Sequence, residues 1–157
     1  MNAVPVSKIK IESKLALIRD SLSSLEQLAN LGKEEFLSDK KNFAVAEHYL
    51  RRSLEAVFDI SGHIVSRYPL APGRRPTTYK GLALVLAEKK IVSEEFGTKV
   101  LVQMAGYRNR MVHFYDEITD QEMYSILQNK LSDIETFAGA IVNILKNPGN
   151  FNLTVEE

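Results

Sequence analysis

The sequence predicts an all-α fold, an antiparallel bundle of four main helices with a short fifth, and three observations predict it. Apolar residues recur at steps of three and four along nearly the whole chain, which lays a single stripe on each helix. Strand-like alternation is weak throughout. The one stretch crowded with helix breakers, YPLAPGRRPTT from Tyr68 to Thr78, holds three prolines and a glycine and marks the main irregular connection.

Each element follows from its own pattern. From Ile11, the series Leu15, Ile18, Leu22, Leu25 and Ala29 makes the first stripe, and Gly32 is expected to end that helix. Ala46, Leu50, Ser53, Val57, Ile60 and Ile64 make the second, on a helix from about Ser38 to Arg67. After the proline loop a short helix around Tyr79 to Lys89 turns Leu82, Val85 and Leu86 inward. Ser93 followed by Glu94 and Glu95 suits a helix start, because the hydroxyl caps and the carboxylates complement the dipole. That helix carries Val100, Leu101 and Met104 before it meets Gly106. Thr119 and Glu122 have capping-box spacing and open the last helix, whose stripe runs from Met123 to Leu145 and is closed by Pro148-Gly149. Its apolar face is wide, with Phe137, Ala138, Ile141, Val142, Ile144 and Leu145. A homodimer would cover such a face, and so would burial in the middle of one bundle.

The chain of 157 residues has the size of one domain, so residues 1–157 are read as a single helical unit, with 1–5 and 148–157 as flexible tails. Twenty basic and twenty acidic side chains give no net charge, which speaks against non-specific coating of nucleic acid but leaves room for a local basic patch. The absence of cysteine excludes disulfides and thiolate metal sites. The first residues lack the apolar core of a signal peptide, and no apolar run approaches the roughly 18 residues that cross a bilayer. The expected compartment is the cytoplasm, with no membrane partner.

Chemistry concentrates in MAGYRNRMVHFYDEI, where basic and aromatic residues interleave as they do at surfaces that meet phosphates and bases. On a helix at about 100° per residue, Asn109 and His113 are neighbours one turn apart, and Arg108 shares a face with Tyr115. Arg108 and His113 then point roughly 140° apart. A straight helix would not aim both at one atom. Either the backbone bends, at Gly106 or later, or two copies of the helix meet across a symmetry axis. The set suits metal-independent RNA cleavage. Attack of the ribose 2′-hydroxyl on its own phosphate needs a base for that proton and an acid for the leaving oxygen, and histidine serves both near neutrality. Arginine keeps its charge and offers a fork to two phosphate oxygens. The competing reading is plain: a lone histidine on an amphipathic helix is more often structural or solvated than catalytic.

RNRMVHFY, from Arg108 to Tyr115, resembles the Arg–x4–His–x–Tyr motif of HepT-like proteins, a branch of the HEPN superfamily of helical ribonucleases. DISGHIV, from Asp59 to Val65, resembles that family's second-helix segment, and the resemblance covers roughly residues 44–117. It implies a ribonuclease toxin with Arg108 and His113 as the catalytic pair, Asn109 as a supporting polar residue, and no cofactor. It also implies a partner, a minimal nucleotidyltransferase antitoxin of the MntA type, which transfers AMP from ATP to Tyr115. AMP at that position would set negative phosphate and a bulky base against the RNA path. The rival class is a non-catalytic helical dimer that binds such a nucleotidyltransferase.

Softer signals surround this motif. Asp59 and His63, spaced i, i+4, form either a pair that orients a catalytic group or an ordinary structural pair. Arg74 and Arg75 in the proline loop, and Arg110, are candidate contacts to RNA or to the partner. His48 with Arg51 and Arg52 is read as a solvated face or an RNA-binding rim. His113, Asp116 and Glu117 fit no strong ligand spacing, so no metal is expected.

Overall fold

Leu50, Leu54, Val57, Phe58, Ile60, Ile64 and Val65 are all buried, and they lie on several sides of one helix rather than in one stripe. That helix, α3 (Lys40–Val65), therefore has neighbours on more than one side, while Lys41, His48, Arg52 and Asp59 leave one strip exposed. In the computed structural model, which describes residues 4–113 and 117–157, it packs against every other α-helix. Those are α1 (Lys8–Ala29), α2 (Lys33–Ser38), α4 (Tyr79–Glu88), α5 (Val102–Val112), α6 (Asp120–Asn129) and α7 (Leu131–Lys146). The fold is all-α, as the periodicity requires. Its longest packed seam is α1 along α3, where Ile11, Leu15, Ile18, Leu22 and Leu25 are all buried.

Side-chain caps explain most of the starts. Ser7 accepts from the Lys10 N–H, Asp39 from Lys41, Thr78 from Gly81 and Thr119 from Glu122, each satisfying an amide that the first helical turn leaves unpaired. Several expected boundaries move for local reasons. The first helix stops at Ala29 rather than at Gly32, and Gly32 instead opens the short α2. Asp39 is extended (φ −129°, ψ 115°) and caps α3, so the helix expected from about Ser38 begins at Lys40, and the short α2 precedes it as a separate helix. The last helix is two, divided at Lys130 (φ −120°, ψ −7°). The division lets Met123, Ile126 and Leu127 face α1, α2 and α3, while Ile134, Phe137, Ile141 and Ile144 face α1 and α3. The wide stripe of α7 is thus largely covered within one chain.

Residues 148–157, expected as a flexible tail, are tied down; of residues 1–5, also expected as a tail, 1–3 lie outside the described residues. Val6–Ser7 pairs in parallel with Val155–Glu156, with Val6 opposite Val155. Val6 is fully buried and Leu153 nearly so. Pro148–Phe151 forms a 3-10 turn whose Phe151 carbonyl accepts from the Tyr68 hydroxyl at 2.6 Å, and burial pushes that phenol up to about 12. Pro5 is held as well, its carbonyl accepting from Arg67 Nε at 3.0 Å. Hydrogen bonds to groups far away in sequence made these contacts, and no local pattern encodes them. Among the described residues no helix is long and apolar enough to cross a membrane.

The helix that carries the candidate site begins with a π-type segment, Phe96–Leu101, running directly into α5. Gly97 explains why this segment can press on α4. A Cβ there would lie 2.6 Å from the Ala87 Cβ and 3.1 Å from the Ala83 carbonyl oxygen, both on α4. The absence of a side chain sets the spacing of the two elements. Gly97→Ala should therefore destabilise the fold by about 1–3 kcal/mol through overpacking. Gly139→Ala, on exposed helical surface with nothing within 4 Å, should stabilise it by about 0.5–1 kcal/mol. Chemical denaturation of both variants checks the pair; equal effects of the same sign would refute the close-approach account.

Candidate active site

Arg108 sits on the last turns of α5 and is half-buried. Its guanidinium carbon lies 4.8 Å from the centroid of the Tyr79 ring at the start of α4. The Tyr79 ring in turn stacks on Phe58 of α3, with centroids 4.7 Å apart and planes within 4°. Phe58 belongs to the core, 2% exposed, so the arginine is braced through two rings against the centre of the bundle. Its Nε is buried with no hydrogen-bond partner, and among the described residues no carboxylate pairs with it. A cation–π contact is worth about 0.5–2 kcal/mol, whereas a buried unpaired donor costs about 1–3 kcal/mol. The packing therefore holds a charged donor in place without satisfying it. A phosphate is the kind of group that would.

Arg110, two residues on, differs in kind. Its two terminal nitrogens donate to the two carboxylate oxygens of Glu122 at 2.6 and 2.7 Å, a bidentate pair that joins the end of α5 to the start of α6. The Arg110 hydrogen bond holds the Glu122 carboxyl below its usual range. Only half of the expected capping box forms for this reason: Thr119 caps Glu122, while the Glu122 carboxylate goes to Arg110. Arg110 was a candidate contact for RNA or a partner; its described role is this structural tie.

The helix ends at Val112, and His113 is extended (φ −111°, ψ 117°) and exposed. Gly106 does not bend the helix; of the two bends the sequence left open, the later one is present. His113 is consequently no longer one helical turn from Asn109, which is half-buried on α5. Its direction is set by the chain leaving the helix. Tyr115 lies outside the described residues, and the helical register that aligned it with Arg108 stops at Val112.

The remaining candidates disperse. Asp59 and His63 do not pair with each other. Asp59 meets Lys14 of α1 at 3.1 Å, and the His63 Nε2 accepts from the Ser7 backbone N–H at 2.9 Å. That acceptor role places the ring proton on Nδ1. Burial, then the charges of Arg67 and Lys10, push His63 down from 6.5 to about 4. It is a neutral structural histidine. Arg75 donates to the Val65 and Tyr68 carbonyls at 2.9 and 2.7 Å and so closes the C-terminal end of α3. Arg74 remains exposed. His48 packs edge-on against neighbouring Tyr49 beside the exposed Arg52, as a solvated face would. Among the described residues no three His, Asp or Glu side chains gather to hold a metal; the His113–Asp116–Glu117 group falls partly outside them. Sequence reasoning missed Phe58 and Tyr79, whose partnership with Arg108 joins three separate helices and leaves no linear signal.

Comparison with known proteins adds the following. The family model described as "Ribonuclease HepT-like" matches residues 18–141. A "tRNA nuclease HepT" of Aphanizomenon flos-aquae is 26% identical over 140 residues, covering 89% of this chain and 92% of the relative. An "mRNA nuclease HepT" of Shewanella oneidensis is 26% identical over 134 residues, covering 83% and 95%. A solved structure of a tri-AMPylated Shewanella oneidensis HEPN toxin in complex with an MNT antitoxin superposes with a TM-score of 0.76, at 26% identity, over 85% of this chain and 97% of that one.

The neutral state of His63 has a consequence for stability. Between pH 6.5 and about 4 the unfolded chain binds a proton at this residue that the folded chain does not, so stability should fall as pH drops through that window. His63→Gln removes the titration and should flatten the acid limb of stability against pH. Parallel curves for the two proteins between pH 7 and 4 would show that His63 does not govern it.

Proposed function

Since this chain belongs to the HepT-like ribonuclease family, we propose that it is the toxin of a toxin–antitoxin pair and cuts RNA internally, without a metal, in the cytoplasm. The observation that carries the reading is Arg108: a cation braced on Tyr79, with a buried Nε that no group among the described residues satisfies. Arg110 nearby, neutralised by Glu122, is the internal contrast.

In this reading His113 removes the proton of the ribose 2′-hydroxyl. The 2′-oxygen bonds to the adjacent phosphorus as the bond from phosphorus to the 5′-oxygen breaks, and a protonated imidazole gives that leaving oxygen its proton. The products are a 2′,3′-cyclic phosphate and a free 5′-hydroxyl. Arg108 grips the phosphate oxygens as charge builds on them, which its fixed fork suits better than a mobile ammonium would. Asn109 supports one of these groups. Two imidazoles serve base and acid together when two copies bring their α5 ends into one cleft, so the active form is a homodimer. The partner is a nucleotidyltransferase antitoxin of the MntA type. It silences the enzyme by adding AMP to Tyr115, and support comes from the AMPylated state of the related Shewanella oneidensis toxin in its complex with an MNT antitoxin.

Cleavage of RNA by the purified protein should survive EDTA, and the native mass should lie near twice 17.7 kDa. His113→Ala should slow cleavage about 10²–10⁴-fold, the usual worth of acid–base catalysis. Arg108→Ala should lose roughly 10²–10³-fold, and Arg108→Lys should fail to restore it. Wild-type rates in His113→Ala would remove the acid–base step.

Tyr115→Phe should still cut RNA, since the phenol has no part in the chemistry, yet escape control. On co-expression with the nucleotidyltransferase, the wild-type protein should gain mass in AMP units and lose activity, while the Phe variant should do neither. Growth rescue of Tyr115→Phe by the antitoxin would locate the control elsewhere.

A further inference from the structure

A cleft of about 620 Å³ opens where α1, α3 and α4 meet, lined among others by Lys10, Lys14, Asp59, Arg67 and Tyr79. Three cations face one carboxylate there, in a chain whose total charge is zero. The single carboxylate is committed, since Asp59 pairs with Lys14 at 3.1 Å. Arg67 donates to the Pro5 carbonyl and to the Ser66 hydroxyl at 3.0 and 2.8 Å, and among the described residues no carboxylate pairs with it, so its charge is fixed but not cancelled there. Lys10 is exposed and among the described residues has no salt bridge. The cleft and the Arg108 site share one side chain, because Tyr79 lines the cleft and also carries the Arg108 guanidinium over its ring. Ser66 and Arg67 also line a second cavity of about 670 Å³, to which Arg75, Glu88, Lys89 and Lys90 contribute.

We propose that this cleft is the track along which RNA backbone phosphates reach Arg108, with Lys10 and Arg67 binding phosphates beside the one that is cut. Asp59 holds Lys14 back and so tempers the affinity of the track. This rests on the ribonuclease reading and adds to it the path of the substrate. A concave surface focuses the field of its cations and suits a thin, regularly charged strand. An acidic face of a protein partner would meet the rim rather than the Tyr79 floor.

The test is binding by the full-length protein of a fluorescent, fully 2′-O-methylated RNA oligonucleotide, which lacks the nucleophile and cannot be cut. Anisotropy is read across a salt series. Each lost phosphate contact should lower the slope of log affinity against log salt by about 0.7, so Lys10→Gln and Arg67→Gln together should lower it by about 1.4. Arg67→Lys should keep the wild-type slope. Asp59→Asn should act in the opposite sense and tighten binding by freeing Lys14, which a merely structural role for Asp59 does not foresee. Should Arg67→Gln fail to fold, Lys10→Gln carries the test, since that side chain is exposed. Unchanged slopes in folded variants, or weaker binding by Asp59→Asn, would overturn the track. So would variants that bind RNA normally yet no longer hold the nucleotidyltransferase, because the face would then be a protein-docking surface. Wild-type protein that cuts ordinary RNA while these variants bind as it does leaves the ribonuclease reading standing and the track refuted. Wild-type protein that binds the oligonucleotide along this face but cuts no RNA gives the reverse.

Discussion

The burial of α3 on every side but the exposed strip of Lys41, His48, Arg52 and Asp59 is the constraint from which the rest of the structure follows. A helix with Leu50, Leu54, Val57, Phe58, Ile60, Ile64 and Val65 turned toward different neighbours needs more than one partner to cover it, and the six other α-helices each pack against it. At roughly 1.5–3 kcal/mol for each large apolar side chain removed from water, no local preference outweighs this demand. Helix breaks at Asp39 and Lys130 are its consequences, because long straight helices could not keep every apolar stripe in contact with one central rod.

Phe58 extends that constraint to the site. It is part of the core, yet its ring supports Tyr79, and Tyr79 supports the guanidinium of Arg108. A flexible, highly charged side chain thereby inherits the rigidity of the bundle. The buried Nε of Arg108 opposes folding, while the ring contact offsets part of that cost, and such tension is common where a group is held ready for a ligand. Arg110, two residues away, resolves its charge on Glu122 and stabilises the exit from α5 instead. Two neighbouring arginines of the same motif thus do different work, one held open and one closed.

The same division appears among the histidines. His63 is buried beside Arg67 and Lys10, accepts from the Ser7 amide and stays neutral well below physiological pH, so it fastens the N-terminal segment to α3. His113 stands exposed where the chain has left the helix. Position within the fold, rather than residue type, decides which imidazole is buried and which meets solvent.

Much of this was legible in the sequence. The three- and four-residue spacing fixed an all-helical chain because a helix has one period and water enforces it. The Arg–x4–His–x–Tyr segment pointed to its family because it stands together with DISGHIV and the proline loop in the order that family shows. The capping residues Thr78, Ser93 and Thr119 were readable in principle, since a cap acts within three residues of itself. What the sequence could not decide were contacts between residues far apart along the chain. Asp59 turned to Lys14 rather than to His63, and Arg75 reached the Val65 and Tyr68 carbonyls at the end of α3. Residues 148–157 docked against the N-terminal strand although their composition looked like that of a tail. Tyr79 became the seat of Arg108. Periodicity records only which side of an element is apolar. Which neighbour covers that side, and which charge is left without a partner, depends on how all the elements close around α3, and that is set by packing in three dimensions.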